Sequence, residues 1–482
     1  MKRFFYISFI NIKRKISPTK KLMDMLRRRV LEGIFLLFVV AGVSSCKVGK
    51  KYERPDLNLP ETIESTTEAS TDTLPNWKSL YNDTILQGLI GIAVENNKDM
   101  LIAAAKIKEM MAAKRVSFAN LLPVIDARVT AQKEGLNYGG DNKTFDPEIN
   151  GKLLLSWELD FLGNLRWARE ADIAAYMQSV EARNALQLTI IAEVAANYYE
   201  LCALDRKLEI IRQTLDARRE GVRLAKLRYE GGLTSETSYQ QAQVELARTE
   251  TLVPDLEQQI KIKESDLSLL LGLYTQGIPR NSSFRSQDLP DSLPVGLPSS
   301  LLERRPDMRQ AELKLREANA RVGVANTNRF PKIRLTGNLG FENDEVARLL
   351  ASPAWFIAGD LLSPVFAMGK NRALYQAEKA RYEQEVYEYQ KSVLNAFKEV
   401  NNAIINVRKM KEIKTARARL EDAAQTYMQL AYLQYINGIT NYIDVLDAQR
   451  GLLDAQIGRN DAELNEQLSI VSLYKALGGG YE

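Results

Sequence analysis

The stretch Gln434-Tyr435-Ile436-Asn437-Gly438-Ile439-Thr440-Asn441-Tyr442-Ile443-Asp444-Val445-Leu446-Asp447-Ala448-Gln449-Arg450 decides the fold. An apolar-periodic segment runs into Asn437-Gly438, breaks, and restarts behind Thr440 and Asn441. Asn and Gly accept the left-handed backbone that ends a helix, and Thr or Asn caps the next one. The stretch therefore predicts a tight turn, Asn437-Gly438-Ile439-Thr440, between two long antiparallel helices. A second copy lies 206 positions earlier, where Tyr229 matches Tyr435, the turn reads Gly231-Gly232-Leu233-Thr234, and Ala242-Gln243 match Ala448-Gln449. One architecture is written twice.

The duplication extends through the chain. Asp99-Met100, Asn120 and Pro123 return as Asp307-Met308, Asn328 and Pro331, and Gly163 and Arg166 return as Gly369 and Arg372. Helical patterns over about 84–120 and 299–329 each stop at the proline. The period then switches to two: Ile125 to Gln132, and Ile333, Leu335, Leu339 and Phe341 against Arg334, Thr336, Asn338 and Glu342. Each half so contributes two amphipathic strands around a polar loop such as 137–144. A membrane barrel needs this pattern, but periodicity alone favours a half-buried soluble hairpin, which gives the same one.

Past Gly163 and Gly369 come helices that no globular domain encloses. Positions 173 to 229 carry a seven-residue apolar seam, and Val386, Val393, Val400 and Val407 repeat it in the second half. A helix from 166 to 229, or from 372 to 435, spans roughly 96 Å. The return helices, 236–272 and 441–477, are about half as long. Stacking one of them on the helix that precedes the strands matches one long helix. The resulting organisation is a signal segment (1–45), a tether rich in Pro, Thr, Glu and Ser (46–82), a first repeat (83–273), a linker with four prolines (274–298) and a second repeat (299–482).

Composition narrows the function. The chain has 482 residues and no histidine, which removes His-dependent triads and most zinc sites. No cofactor or metal constellation and no enzymatic one stands out, and nothing suggests nucleic-acid binding. The formal charge of +4 is a product of the amino terminus. Ten of the 65 Lys/Arg and two of the 61 Asp/Glu fall within residues 1–45, leaving 55 basic against 59 acidic residues, a net −4. Arg27-Arg28-Arg29 precede a short apolar run from Ile34 to Val43, the pattern of an export signal rather than a spanning helix. Met23 and Met25 are alternative starts. Gly42-Val43-Ser44-Ser45-Cys46 resembles a bacterial lipobox, which makes Cys46 the lipidated first residue of the mature chain. The other cysteine, Cys202, sits in a helical pattern as a small hydrophobe.

The Tyr435–Arg450 run, the doubled helix–strand–strand–helix order, Pro123 and Pro331, and Cys46 together resemble the TolC-like outer membrane factors, in their lipidated OprM/NodT branch. The resemblance implies a mainly α fold with a small β part. Three copies would make a twelve-stranded transmembrane β-barrel continued by a periplasmic α-helical barrel. It also implies a passive efflux duct in the outer membrane, lipid-anchored, partnered by a periplasmic adaptor protein and an inner-membrane RND pump. A duct for type I protein secretion is the alternative on the same fold, and a periplasmic coiled-coil scaffold one outside it. The hairpin turns become the adaptor-facing tip, Asp444 and Asp447 a ring of carboxylates narrowing the pore, and Tyr435 part of the closing hydrogen-bond network. Read locally, Asp444 is equally a helix-capping acid three residues after Asn441. Thr440 and Ser238 stand where the best-studied member has an arginine–aspartate lock, and Ser238 and Gln241 replace the two aspartates in the first repeat.

Overall fold

The computed structural model describes residues 47–57, 59–60, 74–137, 143–281, 298–364 and 366–480. The signal segment, Cys46, much of the tether (61–73) and most of the linker (282–297) lie outside the described residues.

In chain order the elements are α1 (Trp77–Leu80), α2 (Thr84–Asn96), α3 (Lys98–Ala119), β1 (Val124–Asn137), β2 (Lys143–Leu159), α4 (Asn164–Glu230), α5 (Glu236–Glu250), α6 (Leu252–Leu270), α7 (Pro298–Arg304), α8 (Pro306–Thr327), β3 (Lys332–Asn343), a 3-10 turn (Val346–Ala351), β4 (Pro353–Leu362), α9 (Lys370–Ile436) and α10 (Tyr442–Ala476). The two longest helices, α4 and α9, have 67 residues each, within two residues of the ends the heptad seams predict. Three expectations change. The helix over 84–120 is two helices, because Asn97 interrupts it. Asn97 accepts the N–H groups of Asp99 and Met100 through Oδ1 and donates to the Leu270 carbonyl, so it caps α3 while binding the end of α6. The return helix over 236–272 is likewise divided at Thr251, and the helix before β3 at Arg305-Pro306.

The chain forms two compact units, and each takes segments from both repeats. The first comprises residues up to Lys51, Ser117–Arg169 and Arg321–Gln376 and contains the sheet. The described strands are antiparallel in the order β1-β2-β3-β4, so the hairpin of each repeat joins the other through β2 and β3. Register carries the period-two pattern across all four strands. The rung Ile125–Leu155–Gly337–Ile357 and the rung Ala127–Leu153–Leu339–Trp355 put apolar groups on one face. Val129 (82% exposed), Trp355 (77%) and Ile357 (67%) stand on that face with no described residue over them. The alternate rungs carry Arg128, Lys152, Asn150 and Glu342, with Lys152 ion-paired to Glu342. Leu154 and Phe356, on the rung with Asp126 and Asn338, and Leu362, opposite Lys332, depart from this pattern, and Leu154 also breaks the alternation in the sequence. β1 and β4 each keep one edge unpaired within the described sheet.

The second unit, Tyr52–Val116, Glu170–Ala320 and Ala377–Glu482, is helical. Its main core gathers Leu86 and Ile90 of α2, Ile191, Val194, Tyr198 and Leu201 of α4, Leu267 of α6, Val400 and Val407 of α9, and Leu473 and Tyr474 of α10. Part of the amino-terminal tether packs here as a strap. Tyr52, Leu57 and Leu59 pack on Leu302, Met308, Tyr389 and Val393, and Arg54 pairs with Glu312.

Along α9 the seven-residue seam reads Val393, Val400, Val407, Lys414, Glu421, Met428, Tyr435. The two charged positions pair with α10, also one heptad apart: Lys414 with Glu466 at 2.7 Å and Glu421 with Arg459 at 2.9 Å. Opposite polarity at successive seam positions fixes the antiparallel register of two helices whose apolar positions would tolerate a slip. We expect Lys414→Glu to lower the thermal midpoint of the helical circular dichroism signal and Glu466→Lys to restore it in the double variant. The coupling should be about 0.5–3 kcal/mol, and purely additive effects would show that the pair does not set register.

Candidate functional site at the paired hairpin turns

The two turns are built identically. The N–H of Gly231, Gly232 and Leu233 bonds to the carbonyls of Leu227, Tyr229 and Arg228, and the N–H of Asn437, Gly438 and Ile439 to those of Leu433, Tyr435 and Gln434. Each is a Schellman end, with Gly232 at φ +69° and Gly438 at φ +72° in the left-handed conformation that an L side chain resists. Leu233 and Ile439, the residues just beyond, are 72% and 74% exposed. Gly231 and Asn437 are exposed beside them, so each turn presents an apolar tip on a polar rim.

The restarts differ. In the second hairpin, Asp444 accepts from the Asn441 N–H at 3.3 Å and from the Thr440 hydroxyl. In the first, Ser235 precedes α5 without a side-chain cap, and the Thr234 hydroxyl is buried with no partner among the described residues. Asp444 therefore does the capping work that its spacing from Asn441 predicts. Asp447, one turn on, is exposed. The structure places Asp444 at the cap, while Asp447 makes no cap and interacts electrostatically with Arg450.

Tyr435 is only 4% exposed, in a cluster with Ala225, Ala242, Tyr442, Val445 and Leu446. Its ring lies 5.2 Å from that of Tyr442, and the Arg228 guanidinium sits 4.6 Å over it. Arg228 also donates to the Ile436 carbonyl at 3.4 Å, satisfying one of the open carbonyls at the end of α9. The Tyr435 hydroxyl is buried and finds no acceptor among the described residues. Burial pushes the Tyr435 phenol up, and pushes Tyr442 up to about 12, so both are neutral donors at physiological pH.

Behind this cluster lies an ion triad that no local pattern predicts. The side chains of Glu245 of α5 and Arg218 of α4 are each 4% exposed. Arg218 donates to the Glu245 carboxylate at 2.8 Å and to its carbonyl at 2.6 Å. Arg450, the last residue of the diagnostic run, reaches across from α10 to the other carboxylate oxygen. The hydrogen bond from Arg450, then that from Arg218, holds Glu245 well below the ordinary value of 4.5, at about 2, against the opposing effect of burial. The triad ties the first hairpin to the second. Because the folded value is depressed, its contribution is fully present above about pH 4.5 and is lost as pH falls toward 2. Glu245→Gln leaves Arg218, Arg450 and the more exposed Arg248, 3.5 Å away, facing a neutral amide and should cost about 3–5 kcal/mol at neutral pH. In thermal melts from pH 7 to 2 the variant should also show a shallower acid loss than the parent. Parallel pH profiles would remove the triad from the account.

The outer membrane efflux protein family model matches residues 89–273 and 297–479. The outer membrane protein OprJ of Pseudomonas aeruginosa is 31% identical over 472 residues, covering 94% of this chain and 97% of OprJ. The probable outer membrane lipoprotein SilC of Salmonella typhimurium is 29% identical, covering 94% and 98%. A crystal structure of CusC, described as undergoing transmembrane channel formation, superposes with a TM-score of 0.84 at 28% identity, over 90% of this chain and all of that one. With both repeats inside the match, and the doubled hairpin, the four strands and the long helices all accounted for, this chain belongs to the outer membrane efflux protein family.

Proposed function

We propose that the protein is the outer-membrane exit duct of a tripartite RND-type efflux system, a homotrimer that passively conducts small molecules handed over by a periplasmic adaptor and an inner-membrane pump. One observation carries the reading: a four-stranded sheet with a continuous exposed apolar face and two unpaired edges. In hydrocarbon such edges are untenable, and only closure with other strands satisfies them. Three copies supply twelve strands, within the size range of membrane barrels whose interior is polar. The likeness to OprJ, SilC and CusC over nearly the whole chain supports the same role.

Within that duct the two hairpin turns face the adaptor, through Gly231–Thr234 and Asn437–Thr440. Cys46 carries the acyl anchor. Asp447, repeated around the three-fold axis, concentrates negative charge and favours cations. Asp444 contributes to the same ring but is committed to its cap, so its removal mixes a pore effect with about 1 kcal/mol of lost capping. Tyr435, whose buried hydroxyl is unsatisfied here, is the donor available to a closing network once its hairpin moves.

Asp447→Asn isolates the pore effect. In planar bilayers the processed protein should conduct ions with a preference for cations, and the variant should show a severalfold weaker preference with equal or higher conductance. Unchanged selectivity would remove Asp447 from the pore, and absence of conductance in the parent would overturn the duct itself.

A further inference from the structure

The most specific contact outside the hairpins lies in the first unit, at the start of α4. Trp167 is 1% exposed, and the residues that cover it are the first described ones of the chain. Lys47 lies over its ring, with the ammonium 3.3 Å from the centroid. The indole N–H donates to the Val48 carbonyl at 2.8 Å, while the Val48 N–H bonds to the Leu162 carbonyl at 3.0 Å. Three glycines make room. A Cβ on Gly49 would come 2.8 Å from the indole, one on Gly323 2.4 Å, and one on Gly163 would meet Lys47 at 2.8 Å. The floor beneath is fixed by Asn164, which donates to the Val324 carbonyl, Thr327 and Asn328.

The repeat breaks at this place. In the register that equates Gly163 with Gly369 and Arg166 with Arg372, Trp167 corresponds to Ala373. In the register that equates Asn120 with Asn328, Gly323 corresponds to Arg115. The equivalent place, made of Ala373 from the second repeat and Arg115 from the first, has neither the ring nor the space. Steric fit, a cation–π contact and two hydrogen bonds on three consecutive residues make a grip stronger than a tether needs.

We propose that Trp167 is the docking site of the mature amino terminus, and that its grip on Lys47–Gly49 fixes where a lipidated Cys46 leaves the protein. One peptide unit places the Cys46 Cα about 3.8 Å from that of Lys47. The acyl anchor is thereby held beside the junction of β2 and α4, as a built part of the molecule. The anchoring half of this statement rests on Cys46 being lipidated; the grip does not.

The test is limited trypsin digestion of native trimers from palmitate-labelled cells. Cleavage at Lys47, Lys50 and Lys51 is followed by intact mass and by loss of label. The parent should resist at a dose that cuts Trp167→Ala about tenfold faster, with the trimer intact, because cleavage follows local opening. Gly49→Ala, which perturbs the same grip without emptying it, should act in the same direction and decides the matter if Trp167→Ala does not assemble. Equal cleavage rates in parent and variants would overturn the docking site. Parent trimers without label but with protected lysines would keep the grip and remove the anchor.

Discussion

A β-strand in hydrocarbon has no water to bond its open N–H and C=O groups, and each one left unpaired costs several kcal/mol. β1 and β4 leave their outer edges unpaired in a sheet whose apolar face is bare. Closure by further copies of the chain resolves both problems, and the rest of the molecule serves that closure. Repeated helices give each copy the same flanks, and the seam from Val393 to Tyr435 keeps α9 and α10 in register. The order β1-β2-β3-β4 makes each copy one continuous piece of wall rather than two separate hairpins.

Duplication supplies the architecture, and departures from it supply function. Both turns keep the Schellman bonds and the left-handed glycine. Only the second has Asp444 in its cap and Asp447 one turn on, and Trp167 and Gly323 occur only where the amino terminus docks. The Arg218–Glu245–Arg450 triad then couples the two unequal hairpins, so the second hairpin, which carries Asp447, and the plainer first one are fastened to each other. A gate closed by side chains alone would leave the hairpins free of one another. Here any motion that separates the hairpins must stretch a buried carboxylate that bridges Arg218 and Arg450.

The fold was legible because its signals are local or periodic. Asn437-Gly438 encodes a turn, a seven-residue seam encodes a long helix, and strict alternation encodes a sheet face. The limits of α4 and α9 follow within two residues. The break at Asn97 was not legible, since no glycine or proline marks it, whereas Pro254 and Pro306 mark the breaks at Thr251 and Arg305; Asn97 breaks its helix because the Leu270 carbonyl is there to receive it. The site was legible in part. Asp444 reads as a cap from its spacing to Asn441, and the structure agrees. Glu245 looks like any acid on a charged helix, and its partners lie 27 and 205 positions away. Trp167 carries one signal that sequence comparison of the repeats offers, the mismatch with Ala373, but its meaning depends on Gly49 and Gly323 meeting in space.

The central claim is that this chain completes its sheet only with copies of itself. Native mass spectrometry of the processed protein, released from detergent micelles, tests it most directly. Three chains per particle, with no monomer at concentrations where the sheet stays intact by infrared spectroscopy, is the predicted result. A folded single-chain particle with the same strand signal would contradict the account.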